Sequence, residues 1–209
     1  MEKLKIGFFS SHGGSNMQAI IDACKEGRLN GYPSVVISNN SDSMALIRAK
    51  SEGIPHFYRS QKTHPDFEEL DDEMLNILKL HSVNIIVLAG YMKKIGPKVL
   101  EEYKGRILNI HPALLPKYGG RGMYGSKVHE AVLANKESIT GVTIHIIDEV
   151  YDNGPIVNQC EIPVYAADTV DTLANRVLKK EHEIFVETLQ KISEGKIKLE
   201  EIMDKFIFC

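Results

Sequence analysis

The chain has 209 residues, 43% hydrophobic and 25% charged, with a formal net charge of −3. That composition fits a globular protein able to bury roughly 70% of its unfolded surface. The slight acidic excess argues against a nucleic-acid partner, and no run approaches the roughly 18 apolar residues of a membrane helix.

The elements alternate along the first half. "LKIGFFS" (4–10) is a short apolar strand, "SHGGSN" a turn, and "MQAIIDACKEG" a helix with apolar residues at 17, 20, 21 and 24 and a stop at Gly27. "SVVIS" (34–38) is a second strand, followed by the helix "MALIRAKSEG", a weak strand "PHFYR" and the helix 65–81. "VNIIVLAG" (83–90) is the strongest buried-strand signal; "GPKVLEEY" is a short helix with Pro97 in its first turn, and "RILNI" the next strand. Then the rhythm changes. A Gly-rich loop leads to the helix "SKVHEAVLAN", two strands "GVTIHII" and "GPIVNQCEIPV" separated by "DEVYDNGP", and a long helix from about 171 to 194. The tail "DKFIFC" reads equally as a last strand or a loosely docked end. The pattern predicts an α/β fold: a doubly wound, mostly parallel sheet, Rossmann-like in its N-terminal half, with an antiparallel C-terminal edge. No linker interrupts it, so one domain over 1–209 is expected.

Three cysteines, Cys24, Cys160 and Cys209, form no CxxC pair, and their odd count argues against a disulfide framework. Cys24 sits on the apolar face of its helix and is expected in the core. The apolar part of "MEKLKIGFFSSHGG" is too short for a signal segment, and the expected compartment is the cytoplasm. No His, Cys and carboxylate set has metal-ligand spacing, so no metal is expected.

Two stretches carry chemistry. "SHGGSNMQ" (11–18) joins a first strand to a first helix, where α/β folds bind phosphate on unpaired amides. Gly13 and Gly14 allow close approach, and Ser15 or Asn16 caps the helix or donates to the anion; a plain tight turn explains the same residues. The loop is neither GxGxxG nor a P-loop. In "RILNIHPALLPKYGGRG", Asn109 and His111 lie two apart on a strand and therefore share a face, at its carboxyl end. An amide donor beside an imidazole can polarise a carbonyl and stabilise an oxyanion, while the imidazole moves a proton. Of the carboxylates Asp148, Glu149 and Asp152 in the turn "DEVYDNGP", Asp152 lies on the tight part beside Asn153-Gly154-Pro155, where it could be aimed inward to raise the His111 pKa and orient its ring; a structural histidine and an ordinary turn are the alternatives. His145 alternates with Val142, Ile144 and Ile146, and reads as a core or surface residue more readily than a cleft one. His12 and His182 carry no clear role.

These residues resemble those of the folate-dependent formyltransferases. "ILNIHPALLPKYGG" and "DNGP" match the wider family; "GGSNMQAIIDAC", "VLAGYMKKIGP" and "RVLKKEHEIF" resemble the members acting on glycinamide ribonucleotide, in order over nearly the whole chain. The resemblance implies transfer of a formyl group from 10-formyltetrahydrofolate to the amine of glycinamide ribonucleotide, in purine biosynthesis, by direct attack through a tetrahedral intermediate. It implies catalysis by Asn109, a protonated His111 and Asp152; a phosphate on Gly14, Ser15 and Asn16; and ribose hydroxyls on Glu181. It also implies a pterin against Met92, Lys93, Lys94 and Ile95, with Asn109 and Asp148 beside it. Residues 1–110 then form the nucleotide-phosphate half and 111–209 the catalytic-loop and folate half, in a monomer or homodimer with small-molecule partners only. Two departures stand out. "THPDFEEL" lacks the basic residue that contacts the folate tail in many members, leaving Lys62 or Lys93 as substitutes. "GGRGMYGSKVHEAV" is longer than the usual loop, and Arg121 within it is not assigned a role. A tRNA-directed formyltransferase would need a basic C-terminal domain, a formylfolate hydrolase a regulatory domain in front, and a nucleotide sensor none of Asn109, His111 and Asp152.

Overall fold

A computed structural model describes residues 3–207. Its centre is one seven-stranded sheet. The strands are β1 (Leu4–Phe9), β2 (Gly31–Ser38), β3 (His56–Tyr58), β4 (Ile85–Leu88), β5 (Ile107–His111), β6 (Ile139–Ile146) and β7 (Ile156–Pro163). The helices are α1 (Ser15–Lys25), α2 (Met44–Ser51), α3 (Phe67–Leu80), α4 (Pro97–Glu102), α5 (Ser126–Ala134), α6 (Val170–Ser193) and α7 (Leu199–Ile207). The order across the sheet is β3-β2-β1-β4-β5-β6-β7, with β3 to β5 parallel and β6 and β7 antiparallel. The fold class expected from the alternation is the one observed.

Apolar side chains fill both faces, as a doubly wound sheet requires. Phe8, Val36, Leu108, Ile144 and Phe185 belong to a core under α1, α2, α5 and α6; Phe9, Ile86, Ile107, Leu78 and Val99 belong to a second core under α3 and α4. Chain order reverses between β1 and β4, which opens a crevice beyond their carboxyl ends, the usual ligand position in open α/β sheets. The segments leaving those two strands are tied together there: Ser11 N–H donates to the Gly90 carbonyl (3.0 Å), and Met92 N–H to Ser11 Oγ (2.7 Å). On the far side of the Met92–Ile95 stretch, Asp71 of α3 caps α4 by accepting from Lys98 N–H (2.7 Å). Both ends of that stretch are therefore fixed.

Three expectations are corrected. Helix α1 begins at Ser15, and its N-cap is Gly14, with no side-chain cap bond. Ser15 and Asn16 are inside the helix, because Gly14 adopts φ +65° and turns the chain one residue earlier. A Cβ at Gly14 would lie 3.0 Å from Ala45 Cβ, and the positive φ would strain it, so both the space and the backbone favour glycine. The tail is neither strand nor loose end: residues 199–207 form α7, whose Leu199 joins the core. Phe208 lies outside the described residues, as does Cys209. Cys24 is only half-buried at the core's edge; burial still pushes its thiol up to about 11, and Cys160 is likewise free.

Candidate active site

Asn109 and His111 project from the α3/α4 face of β5, the face opposite Leu108 and Ile110. Antiparallel pairing sets His145 of β6 directly across from Asn109, and Thr143 across from His111. Residues opposite one another share a face, so register brings a second imidazole into the site. Asn109 Nδ2 lies 3.0 Å from His145 Nε2, and His145 Nδ1 lies 3.1 Å from the Ile146 carbonyl. One assignment satisfies both contacts: His145 carries its proton on Nδ1 and accepts an Asn109 N–H at Nε2. The amide's second N–H remains for another acceptor.

Asp152 completes the group. Its backbone is left-handed, φ +54°, a conformation that Asp tolerates better than most residues. Its Oδ2 accepts from Gly120 N–H (2.9 Å) and lies 3.6 Å from His111 Nδ1; its Oδ1 lies 3.6 Å from His145 Nε2. His111 Nε2 donates to the Tyr118 carbonyl at 2.7 Å. That bond places the proton of the neutral ring on Nε2 and leaves the Nδ1 lone pair toward Asp152. His111 is the buried floor of the site, with half-buried Asn109 and Asp152 as its rim.

The pKa of His111 shifts opposite to the sequence expectation. Burial lowers the His111 pKa, outweighing the opposite pull of Asp152 and of the Tyr118 carbonyl; neighbouring His145 adds to the lowering. The shift favours the neutral imidazole. Burial tends to raise the Asp152 carboxyl, but its neighbours His145, His111 and the Gly120 amide together hold it below the usual carboxylate range. The site pairs an ionised carboxylate with a neutral imidazole, an arrangement suited to accepting a proton and then stabilising the cation formed.

The loop "HPALLP" is anchored by Thr143, whose Oγ1 donates to the Ala113 carbonyl (2.6 Å) and accepts from Leu115 N–H (3.1 Å) and Gln159 Nε2 (2.7 Å). At the crevice's other end, Asn16 Nδ2 donates to Glu181 Oε2 (2.8 Å), joining α1 to α6. The Asn16 amide is thus turned to Glu181, and its Oδ1 is buried without a partner among the described residues. Arg48 of α2 lies against the front loop, with Nε donating to the Gly13 carbonyl (3.0 Å). Met92 N–H is already bonded to Ser11, and Asp148 Oδ1 accepts from Val150 N–H (2.8 Å) in its own turn. Neither of those two groups stands free. Ile95 is buried, while Met92, Lys93 and Lys94 are exposed, as is Lys62.

Sequence reasoning left out His145 and Arg48. The strand alternation and the offset across the β5–β6 pair held the signal for His145. No local pattern marks Arg48, which reaches the loop only through helix packing.

Glu181 gives a test of this geometry. Burial raises its pKa to about 7, only partly offset by the Asn16 bond. Between the ordinary carboxylate value and about pH 7 the folded chain binds a proton that the unfolded chain has lost, so stability falls as pH rises through that window. The fall amounts to on the order of 3 kcal/mol. Glu181→Gln keeps an acceptor for Asn16 but cannot ionise. Urea melts should show it more stable than the parent at pH 8 and nearly equal at pH 4.5; an equal difference at both pH values contradicts the buried carboxyl.

Known proteins resemble the chain over most of its length. The sequence model of a family described as "Formyl transferase" matches residues 4–189. The chain is 40% identical over 198 residues to the chloroplastic phosphoribosylglycinamide formyltransferase of Arabidopsis thaliana, covering 94% of this chain and 68% of that one. It is 35% identical over 191 residues to the Escherichia coli K12 phosphoribosylglycinamide formyltransferase, covering 91% and 88%. The crystal structure of glycinamide ribonucleotide transformylase 1 from Symbiobacterium toebii superposes with a TM-score of 0.85 at 35% identity, covering 92% and 89%.

Proposed function

The chain belongs to the formyl transferase family, and on that premise we propose that it moves a formyl group from 10-formyltetrahydrofolate to the amine of glycinamide ribonucleotide, a step of purine biosynthesis. The observation that carries this reading is the convergence of the Asn109 amide, the His111 Nδ1 lone pair and the ionised Asp152 on one spot. No side chain in that group is an activated nucleophile, so the acceptor amine attacks the formyl carbon itself. A C–N bond forms and the formyl oxygen becomes an oxyanion. The second N–H of Asn109 donates to that oxygen. The proton lost from the attacking nitrogen passes to His111 Nδ1, and Asp152 stabilises the imidazolium. Collapse of the intermediate re-forms the carbonyl and breaks the bond to the folate nitrogen, which takes the proton back from Nδ1. His145 orients the Asn109 amide throughout.

The phosphate is assigned to the N-terminus of α1 at Gly14 and Ser15, where amides lack helical partners, with Arg48 as the nearby cation. Asn16 takes a different part from that expected. Its orphaned Oδ1, next to Glu181, suits a donating ribose hydroxyl. Because Asn16 and Glu181 lie 165 residues apart, the ribonucleotide would draw on both sides of residue 110. The pterin is assigned to the strip Met92–Ile95, read through backbone groups other than the Met92 N–H. The partners this reading requires are two small molecules. The free thiols Cys24 and Cys160 suit a reducing compartment, the cytoplasm. Among the described residues no helix is long and apolar enough to cross a membrane.

The test is a spectrophotometric assay with 10-formyl-5,8-dideazafolate and glycinamide ribonucleotide. Deformylation that requires the ribonucleotide, with one formylated product per folate consumed, supports transfer. Equal loss of formyl without the amine would make the chain a hydrolase.

A further inference from the structure

One short turn holds both halves of the imidazole–carboxylate pair by its backbone. The Tyr118 carbonyl accepts from His111 Nε2 (2.7 Å), and two residues on the Gly120 amide donates to Asp152 (2.9 Å). Gly119 between them packs so closely that a Cβ would meet Leu115 Cδ2 at 2.5 Å and Asp152 Cβ at 3.3 Å. The turn belongs to a glycine-rich stretch that gives little rigidity of its own, with Gly120, Gly122 and Gly125 all at positive φ. Tyr118 itself sits at φ +57°, a conformation that non-glycine residues hold only where their surroundings impose it.

The phenol is held from outside the turn. Tyr118 O–H donates to Glu137 Oε1 (2.8 Å) and accepts from Asn135 Nδ2 (3.0 Å). Asn135 is the C-cap of α5, and Glu137 lies two residues before β6. The anchor therefore stands on the ends of two regular elements, outside the loop. The bond to a carboxylate is of the stronger, charge-assisted kind. Lys117 also reaches Glu137 Oε1 (3.0 Å), but as an exposed ion pair that contributes little.

We propose that Tyr118, anchored through its hydroxyl on Glu137 and Asn135, is a positioning residue that fixes the tautomer and ring orientation of His111. The inference rests on the catalytic role assigned to His111 above. Two acceptors compete for the one proton of the neutral ring: the Tyr118 carbonyl at Nε2 and the Asp152 carboxylate at Nδ1. While the carbonyl is held close, the proton stays on Nε2 and Nδ1 keeps its lone pair. If the turn loosens, the carboxylate claims the proton, and Nδ1 can no longer receive one from an attacking amine.

The experiment reads both the ring and the reaction. In two-bond proton–nitrogen spectra of the ligand-free, 15N-histidine-labelled chain, His111 should appear as the Nε2–H tautomer. Tyr118→Phe, which removes only the hydroxyl, should add Nδ1–H signal and lower kcat about 10-fold, with KM for both substrates within about twofold. Glu137→Gln, which retains an acceptor for the phenol, should stay within about threefold of the parent kcat and keep its spectrum. Lys117→Met, which removes only the ion pair, should change neither. Asn135→Ala provides a second loosening and should fall between parent and Tyr118→Phe. A parent-like spectrum in Tyr118→Phe, or a Glu137→Gln chain as impaired as Tyr118→Phe, overturns the proposal. The spectrum needs no substrate, so a failure of the formyl-transfer assignment would show in the assay alone.

Discussion

Replacing His111 by alanine lowers kcat by about 1000-fold, within the range that a positioned acid–base group supplies, while KM for either substrate changes by no more than about threefold. The reason lies in the division of contacts. The ring touches the Tyr118 carbonyl and faces Asp152, whereas the proposed phosphate and ribose positions are at the α1 and α6 end of the crevice. Calorimetric titration with glycinamide ribonucleotide should therefore give nearly the parent affinity. The pH profile adds a second, signed expectation. Nδ1 must be unprotonated to receive the amine's proton, so activity rises with pH through the His111 pKa. Burial places that pKa below the ordinary histidine value of 6.5, so the acid limb of kcat should lie below pH 6.5 in the parent and vanish in the variant. Loss of ribonucleotide binding in parallel with turnover would assign His111 to ground-state binding. A nucleotide-sensing chain would lose neither selectively.

The sheet could be read from the sequence because its signals are local. "LKIGFFS", "SVVIS" and "VNIIVLAG" are short apolar runs bounded by turn residues, and every helix between them has one apolar face. The pairing of Asn109 with His111 followed from strand periodicity alone. The failures share a cause: each depended on a partner distant in sequence. His145 faces Asn109 only because β6 runs antiparallel in one register, and a shift by one residue would have turned it into the core. Asn16 bonds Glu181 only because α1 packs on α6. The direction of the His111 pKa shift was misjudged because a nearby carboxylate is visible in a sequence, while the depth of burial that outweighs it is not. The N-cap at Gly14 was misplaced for a related reason. Serine and asparagine are the usual caps, but here the left-handed backbone and the packing of Ala45 against the turn favour a glycine.

Asp152→Asn separates charge from geometry at the remaining member of the site. Asparagine tolerates the left-handed backbone at this position and can still accept from the Gly120 amide through its carbonyl oxygen. The turn therefore keeps its shape. What is lost is the negative charge that stabilises the imidazolium, and the new amide nitrogen can donate to His111 Nδ1 and block its lone pair. Turnover should fall about 100-fold, with the ribonucleotide KM nearly unchanged. His111 should also become harder to protonate, because the carboxylate is one of the influences holding its pKa up against burial. The titration of its ring proton should move to lower pH. The decisive measurement is the double variant. If Asp152 acts through His111, removing the carboxylate from a chain that already lacks the imidazole costs little, and His111→Ala/Asp152→Asn should stay within about threefold of His111→Ala. Independent roles would instead multiply the two losses to about 100,000-fold, and Asp152 would then have to touch the reacting atoms in its own right.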